Sequence, residues 1–369
     1  MIFSAGIPSG QKSTMKWTNY DRLITLEDKF IPMKNKITTS LLFIVLSISS
    51  LVTNGQEKQW VVYEGKEGPG KGKHIVFVTG EEEYRSEESM PMMAKILALQ
   101  HGFKCTVLFA IDPKTNKIDP DIQTNIPGLQ ALQSADLMVI IARFRELPDE
   151  QMKYIDDYVK SGKPIVALRT ATHSFQYIRN KQSPYAKYSY NSKVDGWKDG
   201  FGGRVLGETW VDHHGTHGKE GTRALINGTM AKSVILKGVK DIWGSTDVYA
   251  VRDLPDNAQV LLYGQSTHGM TATSPLSYEK SIMPVAWIRS YTTENGKAAR
   301  IFTSTMGAAT DLVNEDLRRL IVNACYWGIG MEAQIPEKSK VEITGPYNPT
   351  AFGFKNGVKG MSVSDFELK

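Results

Sequence analysis

Cysteine is scarce in this sequence, and several short motifs that mark common enzyme classes do not occur. Only Cys105 and Cys325 are present among 369 residues, on a predicted strand and a predicted helix. We expect two buried thiols rather than a disulfide, although export would permit one. No G-x-x-x-x-G-K-[ST] or G-x-G-x-x-G motif occurs, so a nucleotide cofactor is not indicated. Internal repeats and low-complexity tracts do not occur either.

Positive charge is also too thinly spread to indicate nucleic-acid binding. The net charge is +5, but residues 1–56 carry six lysines and arginines against three acids. The rest of the chain therefore has a net charge of only +2 and contains no basic stripe. Nucleic acid is not an expected partner.

Residues 33–55 have the pattern of a secretory signal peptide. Two lysines precede an apolar stretch from Leu41 to Val52, and small residues follow it. This run is too short and too rich in serine for a membrane span. We expect Met33 to be the true start, residues 1–32 to be an upstream extension, and the protein to be exported to the periplasm or beyond. A buried N-terminal helix is the alternative.

Strands and helices alternate after His74, which predicts an α/β fold of the flavodoxin-like type, with a doubly wound, mostly parallel sheet in a single domain. In the first half, strands are predicted at 74–79, 104–110, 137–142 and 165–168, with helices at about 89–101 and 148–162. In the second half, strands are predicted at 223–227, 247–251, 258–263, 284–290 and 299–303, before a helix at 314–328. The domain should span 73–331, with 174–222 as a long functional excursion and 332–369 as a tail that packs on the domain.

Polar side chains directly follow three of these predicted strands. Open α/β sheets bind ligands in the crevice outside the carboxyl ends of their strands. A polar-ligand site is therefore predicted there, although ordinary solvated loops are the alternative. The candidate substrate-binding residues at these strand ends are Glu81, Tyr84, Arg85, Arg143, Arg169 and Thr170.

Four histidines form the second candidate group. His213, His214 and His217 lie in one short segment, and His173 follows a strand. Because imidazole titrates near neutral pH, His173, His213 and His214 are candidate acid/base catalysts. Alternatively, His173, His213 and His217 could bind zinc or another divalent metal, since a catalytic zinc takes three protein ligands. A histidine-rich loop without either role is the third possibility.

Asp247 and Tyr249 alternate along a predicted strand and should share one face of it. Asp247 is a catalytic candidate that would hold a substrate hydroxyl, and Tyr249 is a substrate-binding candidate. Cross-strand packing with a solvated acid is the alternative.

The turn after the fourth strand lacks a nucleophile. In sheets of this kind a serine or cysteine occupies a tight strand-to-helix turn. Here that position is Arg169, which stays protonated and cannot attack a substrate. Covalent acyl transfer or amidotransfer is therefore not expected.

The order of these motifs resembles the ThuA-like (trehalose utilisation) family, whose fold is that of class I glutamine amidotransferases. The matching segments are 74–79, 166–173, 202–205, 244–249, 284–289 and 299–307. There are two departures: Arg169 stands where family members often have histidine, and Ala308 follows Gly307 where a Gly-His pair is common. These departures prevent a direct transfer of catalytic histidines to this chain.

The resemblance implies a role in carbohydrate metabolism. The leading hypothesis is an exported enzyme that acts on a disaccharide, glycoside or keto-glycoside by acid/base chemistry and binds a small-molecule sugar or sugar derivative. A non-catalytic carbohydrate-binding protein is one alternative, in which the tyrosines and tryptophans of 174–222 stack on sugars. A metal-dependent hydrolase is the other. Assembly into a homo-oligomer is left open.

Overall fold

The computed structural model describes residues Glu57–Leu368, and the predicted signal peptide and upstream extension lie outside them. The strands are β1 (Trp60–Tyr63), β2 (His74–Gly80), β3 (Lys104–Leu108), β4 (Leu137–Ala142), β5 (Ile165–Leu168), β6 (Thr222–Ile226), β7 (Ile242–Gly244), β8 (Gln259–Ser266), β9 (Met283–Thr292) and β10 (Ala298–Ser304). The α-helices are α1 (Ser86–His101), α2 (Asp149–Ser161) and α3 (Glu315–Gly328). Short 3-10 helices connect them, including Arg169–His173 directly after β5.

The ten described strands form one sheet in the order β1-β3-β2-β4-β5-β10-β9-β8-β6-β7. The run from β3 to β10 is parallel. The pairing of β1 with β3 and every pairing from β10 to β7 are antiparallel. The predicted α/β class is confirmed, but the prediction of a mostly parallel sheet is wrong.

The antiparallel half follows from how its strands are connected. A parallel neighbour needs a long crossover, usually a helix, whereas antiparallel neighbours can be joined by a tight turn. The turn between β9 and β10 closes with the Thr293 amide donating to the Lys297 carbonyl at 2.8 Å. The first half has α1 and α2 as crossovers, but between β6 and β10 the described chain has no α-helix.

Local sequence signals explain where the helices begin and end. Helix α2 begins after Pro148 with two acids in its first turn, and Gly162 ends it in the left-handed conformation at φ 77°. Helix α3 begins after its N-cap residue, Asn314, whose side chain accepts a hydrogen bond from the Leu317 amide. These two helices lie close to their predicted ranges, whereas α1 begins three residues earlier than predicted.

The sheet buries apolar side chains on both faces. Along β2, Ile75 and Phe77 belong to the core beneath α1 and α3, whereas Val76 and Val78 belong to the core beneath α2. Both cysteines are buried and unpaired, as predicted. Residues of the C-terminal tail join the first core, among them Val341 and Val363. In the described part of the chain, no helix is both long enough and apolar enough to cross a membrane.

One predicted strand does not form. Residues 247–251 are irregular, and the nearest strand is β7, which ends at Gly244. Tyr249 instead makes an isolated antiparallel bridge to His213. The alternation of Asp247 and Tyr249 reflects this short bridge, which joins the segment to the histidine-rich loop.

Candidate active site

The candidate site lies at the carboxyl ends of the parallel strands. The loop after β2 carries Tyr84, the turn after β5 carries Arg169, and β10 leads into Thr305. Arg169 joins the three loops because its Nη1 donates to the Thr305 carbonyl at 2.8 Å and its Nη2 donates to the Tyr84 hydroxyl at 3.1 Å. The predicted meeting of the loops after β2, β4 and β5 is completed by the Phe144 amide, which follows β4 and donates to the His173 carbonyl at 3.0 Å.

Arg169 is fully buried in a conformation that side chains rarely adopt. Its φ is 41°, in the left-handed region. Its guanidinium lies 3.8 Å from the ring centre of Tyr249 and 4.5 Å from that of Tyr84. These stacking contacts help offset the cost of burying the cation. Its guanidinium makes four hydrogen bonds, to Asp247, Tyr84 and Thr305, and thereby holds these residues of the site together. The contact of Arg169 with substrate stays a prediction.

The Asp247 carboxylate is the centre of the site. It is buried and accepts hydrogen bonds from Arg169 Nη2 at 3.0 Å, His213 Nδ1 at 2.7 Å and His217 Nδ1 at 3.1 Å. Burial alone would raise the pKa of Asp247, but Arg169 and the two histidines hold that pKa well below its usual range. Asp247 therefore stays ionised and fixes both imidazoles with Nδ1 protonated.

The two histidines differ in their second contact. His217 Nε2 lies 3.0 Å from Glu83 Oε1, so this imidazole sits between two carboxylates. The hydrogen bond to Asp247, followed by the charge of Glu83, raises the pKa of His217 despite partial burial. The side chain of His213 contacts one carboxylate, that of Asp247, and is 30% exposed. Within Glu57–Leu368, no hydrogen bond occupies Nε2 of His213, which leaves that atom available to a ligand.

Backbone pairing brings the histidine loop to Asp247. The amides of His214 and Gly215 both donate to the Val248 carbonyl at 2.9 Å, and the Ala250 amide donates to the Asp212 carbonyl. A Cβ at Gly215 would lie 2.9 Å from the Cβ of Asp247. Only glycine allows the two segments to approach this closely.

Aromatic side chains form one wall of the site around His173. The His173 ring centre lies 5.2 Å from that of Phe144, 5.4 Å from that of Trp210 and 6.2 Å from that of Tyr249. Burial, followed by the charge of Arg143, lowers the pKa of His173 well below its usual value. His173 is therefore a neutral imidazole at physiological pH, and its Nδ1 contacts the Thr172 hydroxyl at 3.2 Å.

Some predicted site residues lie outside the Asp247 cluster. His214 points elsewhere, with Nε2 2.8 Å from the Ser281 carbonyl. Arg143 pairs with Glu82, and Arg85 donates to the carbonyls of Glu82 and Gly353. Thr170 is buried, and its hydroxyl makes no hydrogen bond in the described chain.

Glu81 lies beneath the loop after β2 rather than facing the site. Its Oε1 accepts a hydrogen bond from the Glu83 amide at 3.1 Å and another from the Tyr84 amide. Burial, followed by the nearby charge of Glu87, raises the pKa of Glu81 to about 8. Glu81 therefore shapes the loop that presents Glu83 and Tyr84.

Two contributors to the site were not predicted. Glu83 lies among three consecutive glutamates, and nothing in the sequence distinguishes which of them faces the site. Phe352, whose ring centre is 5.6 Å from that of His217, lies in the tail, about 105 residues beyond Asp247. No local pattern signals either contact, since both depend on how distant segments pack.

His213, His217 and Asp247 could also hold a cation. One ligand atom from each lies within 4.8 Å of the others. Imidazole nitrogen and carboxylate oxygen are both zinc ligands. The structure thus places Asp247, rather than the predicted His173, beside His213 and His217 as the third donor.

At the carboxyl edge of an α/β sheet, this protein thus has a buried arginine–aspartate pair that contacts two histidines. The chain matches the ThuA family, described as trehalose utilisation, over residues 74–328. Because the match covers more than half of the chain, the protein belongs to the ThuA family. The resemblance found in the sequence is confirmed.

Solved structures similar to this chain include two ThuA-like proteins. One from Parabacteroides merdae is 14% identical, with a TM-score of 0.46, over 81% of this chain and 100% of that chain. One from Bacteroides uniformis is 11% identical, with a TM-score of 0.43, over 71% of this chain and 92% of that chain. A glutamine amidotransferase from Thermotoga maritima is 11% identical, with a TM-score of 0.34, over 70% and 98%. No curated protein matches the chain in sequence.

Proposed function

We propose that this protein is an exported enzyme of carbohydrate metabolism that acts on a disaccharide, glycoside or keto-glycoside by acid/base chemistry. The observation that carries the proposal is the Asp247 carboxylate with two imidazoles fixed on it. The ThuA family description, trehalose utilisation, supports a sugar as the substrate. Arg169 occupies the position of the nucleophile, which argues against amidotransfer.

In this proposal His213 is the general base. A carboxylate on Nδ1 holds the imidazole in one tautomer and stabilises the imidazolium that forms when Nε2 accepts a proton. Nε2 of His213 can take a proton from water or from the carbon beside a keto group. Arg169 keeps Asp247 ionised throughout, because both side chains are fully buried and 3.0 Å apart.

His217 is the general acid. Two carboxylates contact its ring, so it retains its proton to a higher pH than an ordinary histidine does. For His217 to deliver that proton as the glycosidic bond breaks, the oxygen of the leaving sugar would replace Glu83 Oε1, 3.0 Å away, as the hydrogen-bond partner of Nε2. The neutral His173 then serves as part of the aromatic wall rather than as a proton carrier.

Replacement of His213 tests this assignment. The purified protein is incubated with trehalose, other disaccharides and their keto forms, and products are separated by chromatography. His213→Asn should lower kcat by about 10²–10⁴-fold, the usual contribution of a positioned acid or base. His214→Asn, at the next residue in the chain but outside the cluster, is the matched control and should turn over normally.

Two other results would contradict parts of this proposal. Full turnover by His213→Asn would remove His213 from the mechanism. Saturable sugar binding without product would instead favour the non-catalytic carbohydrate-binding protein.

A metal-dependent hydrolase is the second candidate, because His213, His217 and Asp247 offer three donor atoms close together. Elemental analysis of protein purified without a metal-binding tag tests it. Near-stoichiometric zinc that is lost in His217→Ala would favour this mechanism, in which the metal activates water. Turnover that persists in the presence of a strong chelator, by protein containing no metal, would contradict it.

A further inference from the structure

The C-terminal segment 346–361, here called the strap, lies beyond the region matched by the family and reaches back to the site. Two aromatic side chains of the strap contact residues of the site. Phe352 packs 5.6 Å from the ring centres of both His217 and Tyr84. Phe354 lies 4.9 Å from the guanidinium of Arg143. The strap therefore touches the candidate active site at two places.

Hydrogen bonds hold the strap against the loop after β2 and the start of α1. The Gly353 amide donates to the Glu83 carbonyl at 2.9 Å, and the Gly353 carbonyl accepts from Arg85. The Thr350 amide donates to Glu88 Oε2 at 2.7 Å. Arg85, a predicted substrate-binding residue, thus anchors the strap beside the very loop that presents Glu83 to His217.

Phe352 and Phe354 lie at the two ends of a row of neighbouring side chains that includes both histidines of the site. Consecutive members of this row lie between 4.4 and 5.8 Å apart, measured between ring centres or from the Arg143 guanidinium to a ring centre. The buried hydroxyls of Tyr84 and Tyr249 lie beside this row, and that of Tyr84 accepts a hydrogen bond from Arg169. In order, the row runs through Phe352, His217, His213, Trp210, His173, Phe144, Arg143 and Phe354.

This arrangement suits a sugar ring. A pyranose has an apolar C–H face that packs on aromatic rings and hydroxyl groups that hydrogen-bond to polar partners. Phe354 is 50% exposed and Phe352 is partly exposed, although both lie on a segment that is hydrogen-bonded to the domain. Phe352 and Phe354 thus place two partly exposed aromatic rings beside the charged and polar side chains of the site.

We propose that Phe352 and Phe354 of the strap form the outer wall of the sugar site and pack against one face of a bound sugar ring. This inference rests on the proposed function, since it takes a sugar to be the ligand. Of these two phenylalanines, Phe352 determines substrate specificity, because it contacts His217, the proposed acid. The strap thereby makes the tail of this chain part of its active site.

The first measurement is the dissociation constant of trehalose and of its keto form, by titration calorimetry on the protein with the strap intact. Phe352→Ala should weaken binding about tenfold, the loss expected for one aromatic contact and its buried area. Phe352→Trp, which keeps an aromatic face, should restore most of the affinity. Val358→Ala, an exposed position on the same strap, is the control and should bind normally.

The second measurement does not depend on a sugar. Diethyl pyrocarbonate modifies exposed imidazoles, and mass spectrometry locates the modified residue. Because Phe352 covers one side of His217, Phe352→Ala should be modified faster at His217 than the unchanged protein and Val358→Ala are. If Phe352→Ala does not fold, Phe352→Leu provides the same two comparisons with most of the apolar volume retained.

The outcomes separate this inference from the proposed function. If Phe352→Ala binds the sugar as tightly as the unchanged protein does, the proposed wall is wrong, whereas the proposed function is unaffected. Failure of the unchanged protein to bind either sugar overturns the function and the sugar as occupant of the wall. Even if no sugar binds, faster modification of His217 in Phe352→Ala than in the unchanged protein would show that the strap covers the site. Equal rates of modification in the two proteins would show that Phe352 does not cover His217.

Discussion

Replacing Arg169 with methionine should strongly destabilise the fold, although methionine fills much of the same volume. Arg169 and Asp247 are both fully buried, and their charged atoms are 3.0 Å apart. Removing one partner of such a pair leaves an uncompensated buried charge and costs about 3–5 kcal/mol. The stacking on Tyr84 and Tyr249 is lost as well, which adds about 1 kcal/mol.

Urea unfolding followed by tryptophan fluorescence measures this loss. We expect Arg169→Met to lower the free energy of unfolding by about 4–6 kcal/mol, a large share of the 5–15 kcal/mol typical of folded proteins. Lys153→Met is the matched control. Its ion pair with Asp157 has side chains 61% and 50% exposed, so its loss should be below about 1 kcal/mol.

A double replacement tests whether the cause is the unpaired charge. Arg169→Met combined with Asp247→Asn removes both charges, so its destabilisation should be smaller than the sum of the two single losses by about 1–3 kcal/mol. Additive losses, or a single Arg169→Met loss as small as that of Lys153→Met, would refute the reasoning. The Asp247 carboxylate would then not depend on Arg169 for its charge.

Two further predictions concern the supports of the site. Burial raises the pKa of both Glu81 and Glu87 to about 8, so the folded chain binds their protons more tightly than the unfolded chain does. Stability should therefore fall as pH rises from about 4.5 to about 8, by up to about 1.4 kcal/mol per pH unit for each carboxyl. Glu81→Gln should flatten this slope in urea titrations at pH 5, 6.5 and 8, and an unchanged slope would contradict the burial argument. Gly215→Ala should lower both the melting temperature and sugar turnover, because its Cβ would press on Asp247, whereas Gly228→Ala, with open space around it, should change neither. A fully active Gly215→Ala would show that the close approach is not required.

Much of the fold could be predicted because its signals are local. Apolar runs such as 137–142 and capped amphipathic helices such as 148–162 can each be predicted from a few neighbouring residues. The antiparallel half was missed because strand direction depends on connections rather than on the strands themselves. Residues 247–251 alternate like a strand, yet they pair with only one short loop, which no local pattern reveals.

The site residues were easier to find than their roles. Charged residues at strand ends were recognised because the edge of an α/β sheet is where ligands bind. Whether a charged side chain faces a ligand or another side chain depends on long-range packing. Arg169, Asp247 and Arg143 are predicted to hold substrate oxygens, and the contacts that only the structure reveals are with Tyr84, the two histidines and Glu82, respectively.

The position of Arg169 is central to the proposed acid/base chemistry. A left-handed residue after a central parallel strand is where a nucleophile would be presented to solvent. Here that residue, with φ of 41°, is a protonated guanidinium, which is not a nucleophile but pairs with Asp247 at 3.0 Å. The parallel half of the sheet therefore supplies a fixed positive charge. The segments bordering the antiparallel half supply Asp247, His213 and His217, which need that charge to keep the carboxylate ionised in a buried setting. Because the cation and the acid/base groups come from different halves, replacing Arg169 should impair the histidines without touching them.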